Sequence, residues 1–245
     1  MKTLEIVTHC WNYANCLTWQ LASVLLFPPA EPNRVVVTVF IETKKDQRTV
    51  ERMARIMQWP RPDNVDINVY HLPKTLLCRR AIGRNIASQR STSDIMWFAD
   101  CDMMVGKQSI DRIIKLLEED NQGHLWYPRT VKATQQEDGD RLISEGEDMM
   151  QPRAVDTDSM FSFGYRKAVG GVQFARTSSC RQIGYCARGE HQNRAEEWRR
   201  TYSDITFRES MHEAFGCGNG RRVKLPNLIR FRHTERGRFT KGLEL

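Results

Sequence analysis

The chain has 245 residues, 40% of them hydrophobic, and a formal net charge of +7. This suits one large domain or two small ones with a sizeable core, and no stretch approaches the ~18 consecutive apolar residues of a membrane span. The charge points to an anionic partner (a nucleotide, a nucleic acid or a membrane surface) without choosing among them. In chain order, Leu4 to Val7 reads as a short first strand and Thr8 to Asn12 as a loop. Leu17, Leu21, Val24 and Leu25 recur at helical spacing, and Pro28-Pro29 ends that helix. Val35 to Ile41 is β-branched and reads as a second buried strand, with Glu42 to Asp46 as its exit loop. A helix over Thr49 to Met57 is closed by Trp59-Pro60 and Pro62. Val65 to Leu72 is a third strand, and Leu76 to Gln89 a helix with Cys78, Ile82 and Ile86 on one stripe. Ile95 to Ala99 is the fourth strand, and Ser109 can cap a helix whose apolar face holds Ile110, Ile113, Ile114 and Leu117.

To about residue 120 strand and helix alternate, the pattern of a doubly wound α/β sheet. The second half is less regular. His124 to Val131 reads as a strand, Gln135 to Pro152 as a long acidic loop, and Met160 to Tyr165 and Val172 to Ala175 as strands around Gly170-Gly171. Glu196 to Phe215 reads as mostly helical, and Leu225 to Arg232 as a last strand leading into His233. No Pro/Gly/Ser linker separates the halves, which favours one domain. The seven cysteines are odd in number, scattered and without Cys-x-x-Cys spacing. They argue against a disulfide framework or zinc ribbon and for reduced thiols. Met1 to Glu5 lacks a signal-peptide core, and a cytoplasmic location, of a cell or an infected host, is expected.

The fourth strand ends in Asp100-Cys101-Asp102. Strand side chains alternate with period two, so the two carboxylates can point the same way. Together at a buried strand end they lose hydration and repel each other. A hard divalent cation, Mg²⁺ or Mn²⁺, removes both penalties and also binds phosphates. The plain alternative is two solvated aspartates where a strand becomes a turn. Position favours the cation, because ligands of open α/β sheets bind beyond the carboxyl ends of the strands. A second pair, Asp156-Thr157-Asp158, has no apolar strand before it and reads as a solvated loop.

Gly83-Arg84-Asn85-Ile86-Ala87, Ser93-Asp94-Ile95 and Phe98-Ala99-Asp100-Cys101-Asp102 together resemble the family 2-like glycosyltransferases of the GT-A fold. Gly170-Gly171-Val172-Gln173-Phe174-Ala175-Arg176, followed by Arg181-Gln182-Ile183-Gly184-Tyr185, resembles the acceptor-side strand and helix start of that family. The resemblance implies a single GT-A-like domain with a mixed sheet and flanking helices. Residues 1–106 would form the nucleotide-sugar-binding lobe and 107–245 the acceptor and catalytic lobe. It implies a metal-dependent inverting transfer from a nucleotide-diphosphate sugar, with uridine as the expected base, to a hydroxyl of a glycan or of a hydroxymethylated base in DNA. Asp102 is the expected direct ligand of Mn²⁺ or Mg²⁺. Asp100 is expected at the ribose or a metal-bound water, and His233 completes the metal site. Asp204, in Ser203-Asp204, takes the place of the catalytic base, with Glu209 and Glu213 as substitutes. Thr8, Glu42 and Arg84 fall where the family contacts the nucleotide. The lobe around Gly170-Gly171 and Trp198 is expected to hold the acceptor.

From Arg221 to Lys241 eight Arg/Lys residues accompany one acid, Glu235. Arg221, Arg222, Lys224, Arg230, Arg232, Arg236 and Arg238 suit a polyanionic acceptor. Two other classes stay open. One is a nucleotidyltransferase, although Thr8-His9-Cys10-Trp11-Asn12 lacks the usual glycine-rich loop. The other is a basic nucleic-acid-binding protein, although no helix-turn-helix, zinc-finger or RNA-binding signature is present.

Overall fold

The computed structural model describes residues 1–194 and 202–234. The β-branched and apolar runs form the strands of a central sheet. Strands β1 (Thr3–Cys10), β2 (Arg34–Ile41), β3 (Val65–His71) and β4 (Ile95–Phe98) are joined by helices α1 (Ala14–Leu26), α2 (Gln47–Ile56), α3 (Lys74–Leu77) and α4 (Arg80–Arg90). After a two-residue strand β5 (Met103–Met104) and helix α5 (Ser109–Glu119) come β6 (Leu125–Pro128), β7 (Thr130–Ala133) and helix α6 (Gln136–Glu145). Then follow β8 (Phe161–Gly164), β9 (Gln173–Arg176), α7 (Thr177–Ile183), α8 (Ser203–Phe215), β10 (Arg221–Val223) and β11 (Ile229–Arg230).

Among the described residues seven strands make the main sheet, in the order β10-β6-β9-β4-β1-β2-β3. The β1–β2, β2–β3 and β1–β4 pairs are parallel, whereas β9 runs antiparallel to both β4 and β6. The expected mixed α/β sheet is therefore present. Its core strand β4 has every side chain buried, as a strand covered on both faces requires. A second sheet of four strands, β5-β11-β7-β8, stands beside the carboxyl end of β4. The chain changes sheets at Arg129, between β6 and β7, so the single strand expected over His124 to Val131 is two.

Several local expectations are corrected. The acidic stretch expected as a loop contains α6, which packs on α1: Trp19 Nε1 donates to Leu142 O at 2.5 Å. A Cβ on Gly139 would stand 1.8 Å from Arg232 O, so this helix tolerates no side chain where the C-terminal segment crosses it. The helix over Leu76 to Gln89 is two, broken at Cys78-Arg79. Ser109 opens α5 but does not cap it; its Oγ accepts from Gly106 N and donates to Pro226 O. The last strand shrinks to Ile229–Arg230, because Pro226 and left-handed Asn227 (φ 56°) interrupt it. Of the helix expected over Glu196 to Phe215, residues 195–201 lie outside the described residues, as does Trp198.

One charge is buried far from the carboxyl end of the sheet. Glu5 lies mid-β1, 7% exposed, and accepts from Thr38 Oγ1 at 2.6 Å. Burial raises its carboxyl above the ordinary range, opposed by hydrogen bonds from Ser91 and Thr38. A raised folded value favours the protonated form. The stability it contributes is complete below the unfolded value and is lost as pH climbs through the folded one. Glu5→Gln mimics the protonated acid. It is expected to raise stability at pH 7 by about 1 kcal/mol and to leave it unchanged near pH 4. Urea midpoints at the two pH values check this; an offset equal at both would remove the titration from the account.

Candidate active site

The carboxyl ends of β1 and β4 and the inner face of the second sheet enclose a cavity of about 420 Å³. Its wall includes His9, Trp11, Tyr13, Arg80, Asp100 and Asp102, with Phe163, Arg230, Arg232 and His233 from the C-terminal half. The Asp pair is held in place from behind. Gln20, buried in α1, donates from Nε2 to Asp100 O and to Met103 O, both at 2.9 Å. Met103 N closes the turn onto Asp100 O at 3.0 Å. On the other side Gly171 presses against Asp100: a Cβ there would lie 2.9 Å from Asp100 N. Gly170, at φ 42°, adopts a backbone that L side chains disfavour. The glycine pair thus brings the acceptor-side backbone against the Asp turn itself.

The electrostatics are those of crowded carboxylates among arginines. Arg80 is ion-paired with Asp100, Arg84 Nη2 lies 3.3 Å from the same Oδ1, and Arg230 Nε lies 3.5 Å from Asp102 Oδ2. Burial, and then the charge of Asp100, push the Asp102 carboxyl above its ordinary value, while Arg230 and His233 pull it back. His9 stacks on Phe40 at 4.8 Å, and a Cβ on Gly83 would meet its Nε2 at 2.1 Å. Burial, reinforced by Arg84 and Arg80, holds its imidazole well below the usual histidine range, so it is neutral.

Asp100, Asp102 and His233 are thus brought to one cavity. His233 Nδ1 is buried without a hydrogen-bond partner among the described residues, and its ring meets Tyr13 edge-on at 5.6 Å. Among the described residues no three His, Cys, Asp or Glu side chains converge into a ready-made metal cage. Mg²⁺ and Mn²⁺ do not require one: such ions take one or two carboxylates and complete their shell with water and phosphate oxygens. Two mutually repelling carboxylates and an orphaned ring nitrogen fit an ion of that kind.

The other expected residues stand off the cavity wall. Thr8 is fully buried and its Oγ1 meets Cys101 Sγ at 3.4 Å. Glu42 is buried and turns its carboxylate back on the amides of Lys45 and Asp46. Arg84 is buried, bonded to Tyr185 Oη at 2.7 Å, and reaches the site only through Asp100. Asp204, in the first turn of α8, accepts from Gly170 N at 3.0 Å, and a Cβ on that glycine would lie 3.6 Å from Asp100 Oδ2. Glu209 and Glu213 are exposed. Asp156 and Asp158 are exposed and form their own turn, as expected of a solvated pair. Of the basic stretch, Arg230 and Arg232 reach the cavity, while Arg221 pairs with Asp120 at 2.5 Å. Arg236 and Arg238 lie outside the described residues. Sequence reasoning missed His9 and Arg80. Arg80 precedes Arg84 by four residues, which sets both on one helix face, and that spacing was available as a signal.

The fold recurs among solved structures. Residues 1–349 of S. aureus TarS in complex with UDP-GlcNAc superpose with a TM-score of 0.63 at 14% identity, over 98% of this chain and 61% of that one. The UDP complex of the same protein gives 0.55 at 15% identity, over 94% and 60%. A mannosyltransferase from Pyrobaculum calidifontis, solved with GDP-Man and Mn²⁺, gives 0.56 at 12% identity, over 96% and 58%. The chain has the mixed α/β fold of these glycosyltransferase structures and spans about three-fifths of their length. No family model matches the sequence, and no curated protein does. No helix among the described residues is long and apolar enough to cross a membrane.

Proposed function

We propose that the chain is a metal-dependent, inverting glycosyltransferase. It moves a sugar from a nucleotide-diphosphate donor, with UDP as the expected carrier, to a hydroxyl of a glycan or of a hydroxymethylated base in DNA. The observation that carries this is the Asp100–Asp102 turn, which opens at the carboxyl end of β4 into an arginine-lined cavity. The neighbours with bound UDP-GlcNAc, UDP and GDP-Man support the donor class, and the one with Mn²⁺ supports the cation.

Asp100 and Asp102, with His233, are the residues that would hold Mn²⁺ or Mg²⁺, and an ion bound there would offset the negative charge that grows on a departing diphosphate. The chain's own residues supply the rest. Arg230 and Arg232 bring positive charge to the cavity wall. Asp204 takes the proton of the acceptor hydroxyl, which is a poor nucleophile without a base. Gly170 and Gly171 set the distance between that base and the Asp turn. In-line attack opposite the leaving group inverts the anomeric centre.

A donor screen with Mn²⁺ and Mg²⁺, reading nucleoside diphosphate release, tests the proposal. Pyrophosphate in place of nucleoside diphosphate would make the protein a nucleotidyltransferase; turnover undiminished in excess chelator would remove the cation. Salt separates the acceptors. If DNA is the acceptor, raising salt from 50 to 200 mM is expected to weaken DNA binding by about a thousand-fold when six or so phosphates are contacted. Acceptor affinity that ignores salt would leave the glycan.

A further inference from the structure

Three guanidiniums hold the two carboxylates of the cavity: Arg80 and Arg230 from its wall, and Arg84 from behind it. Asp100 is held by Arg80 and Arg84, and Asp102 by Arg230. The two arginines on Asp100 are held differently. Arg84 is fully buried, bonded to Tyr185 Oη and stacked over the rings of Tyr185 and Phe98, at 5.2 and 5.7 Å. Arg80 lies on the cavity wall with 25% of its side chain exposed. A divalent ion arriving alone must compete with Arg80 for the Asp100 oxygens and sit beside a like charge, which is costly where contacts are close and partly desolvated. A diphosphate removes the conflict, because it offers Arg80 another anion and the ion further oxygen ligands.

We propose that Arg80 is a diphosphate-binding residue that serves as the internal counter-ion of Asp100 until the donor arrives, so that cation and nucleotide bind as a pair. The inference rests on the cation and donor assignment above. It makes Arg80 an exchanging ligand and Arg84 the fixed one.

Mn²⁺ binding to the full chain, measured by calorimetry alone and with UDP or GDP, tests it. In the wild type, nucleotide is expected to tighten Mn²⁺ by about ten-fold or more, and Mn²⁺ to tighten the nucleotide equally. Bridging phosphate oxygens alone also give coupling, so the deciding arm is Arg80→Gln. With the competing charge gone, this variant is expected to bind Mn²⁺ alone about three-fold tighter or more, and to show a smaller effect of nucleotide. Arg80→Met gives the same pattern and serves if the glutamine variant does not fold. Mn²⁺ affinity that is unchanged or weakened in the absence of nucleotide in these variants would overturn the exchange. Tight Mn²⁺ binding to the wild type, indifferent to nucleotide, would overturn it while leaving the transferase assignment standing. Absence of Mn²⁺ binding under every condition would overturn both.

Discussion

Asp102→Asn is expected to lower sugar transfer by about a thousand-fold without lowering thermal stability. The two halves of that expectation have one cause. Asp102 has 16% of its side chain exposed and faces Asp100, and burial and that neighbour raise its carboxyl above the ordinary value. Folding therefore works against its charge. Asparagine keeps the shape, drops the charge and removes the repulsion. Arg230 loses an ion pair, but 37% of its side chain is exposed, and it keeps Tyr165 Oη at 3.2 Å and the face of Phe163 at 5.6 Å. Little structural penalty remains, because a solvated guanidinium is not an uncompensated buried charge. The functional loss follows from the proposed role: removing one electrostatic stabiliser of a transition state costs about two to three orders of magnitude. The check is a pair of numbers, the turnover and the melting temperature of the same preparation. A variant that melts lower and works normally would make this carboxylate a structural residue.

The sequence located the candidate site's strand end better than the contacts of its individual residues. Ile95 to Ala99 running into Asp100-Cys101-Asp102 marked the strand end because burial on both faces demands an unbroken apolar run, and that demand is local. Strands β1 and β2 were legible for much the same reason, whereas β3, at the sheet edge, shows itself by alternation, with Val65 and Ile67 buried and Asn68 exposed. Helix α6 was not, since Gln136–Glu145 carries only Leu142 and Ile143 to mark a buried face, and its placement depends on contact with Trp19, 123 residues away in sequence. Thr8 and His9 differ by one residue, yet a strand alternates, so one step decides which side chain reaches the cavity. Here it is His9. Glu42 illustrates another limit. An acid after the second strand suits ribose or base recognition, but its carboxylate is taken by the two amides of its own loop. Residue type cannot report such local satisfaction. The lobe around the glycine pair is expected to hold the acceptor, but what presses on Gly171 is the Asp turn: a Cβ there would lie 2.9 Å from Asp100 N.

Asp204→Asn is the sharper test of mechanism. One carboxylate oxygen accepts from Gly170 N at 3.0 Å, and the main-chain carbonyl accepts from Gln173 Nε2 at 3.0 Å. An asparagine can keep both bonds, the first through its amide oxygen, so α8 and the glycine turn hold their places. What it cannot do is accept a proton. The bond from Gly170 N uses Oδ2, and the proposed mechanism assigns the other oxygen, Oδ1, to the acceptor hydroxyl. Turnover is therefore expected to fall by about a hundred- to ten-thousand-fold, the range of general-base catalysis. Donor KM and melting temperature are expected to stay put. A merely structural Asp204 gives the opposite pattern under Asp204→Ala, with lost stability and a turnover that falls only in proportion to the folded fraction. The exposed Glu209 supplies the control: if Glu209→Gln stops transfer and Asp204→Asn does not, the base lies one helical turn further along α8. Product stereochemistry decides independently of either substitution. One base and one displacement invert the anomeric centre; a retained configuration needs a second displacement and leaves Asp204 without its assigned step.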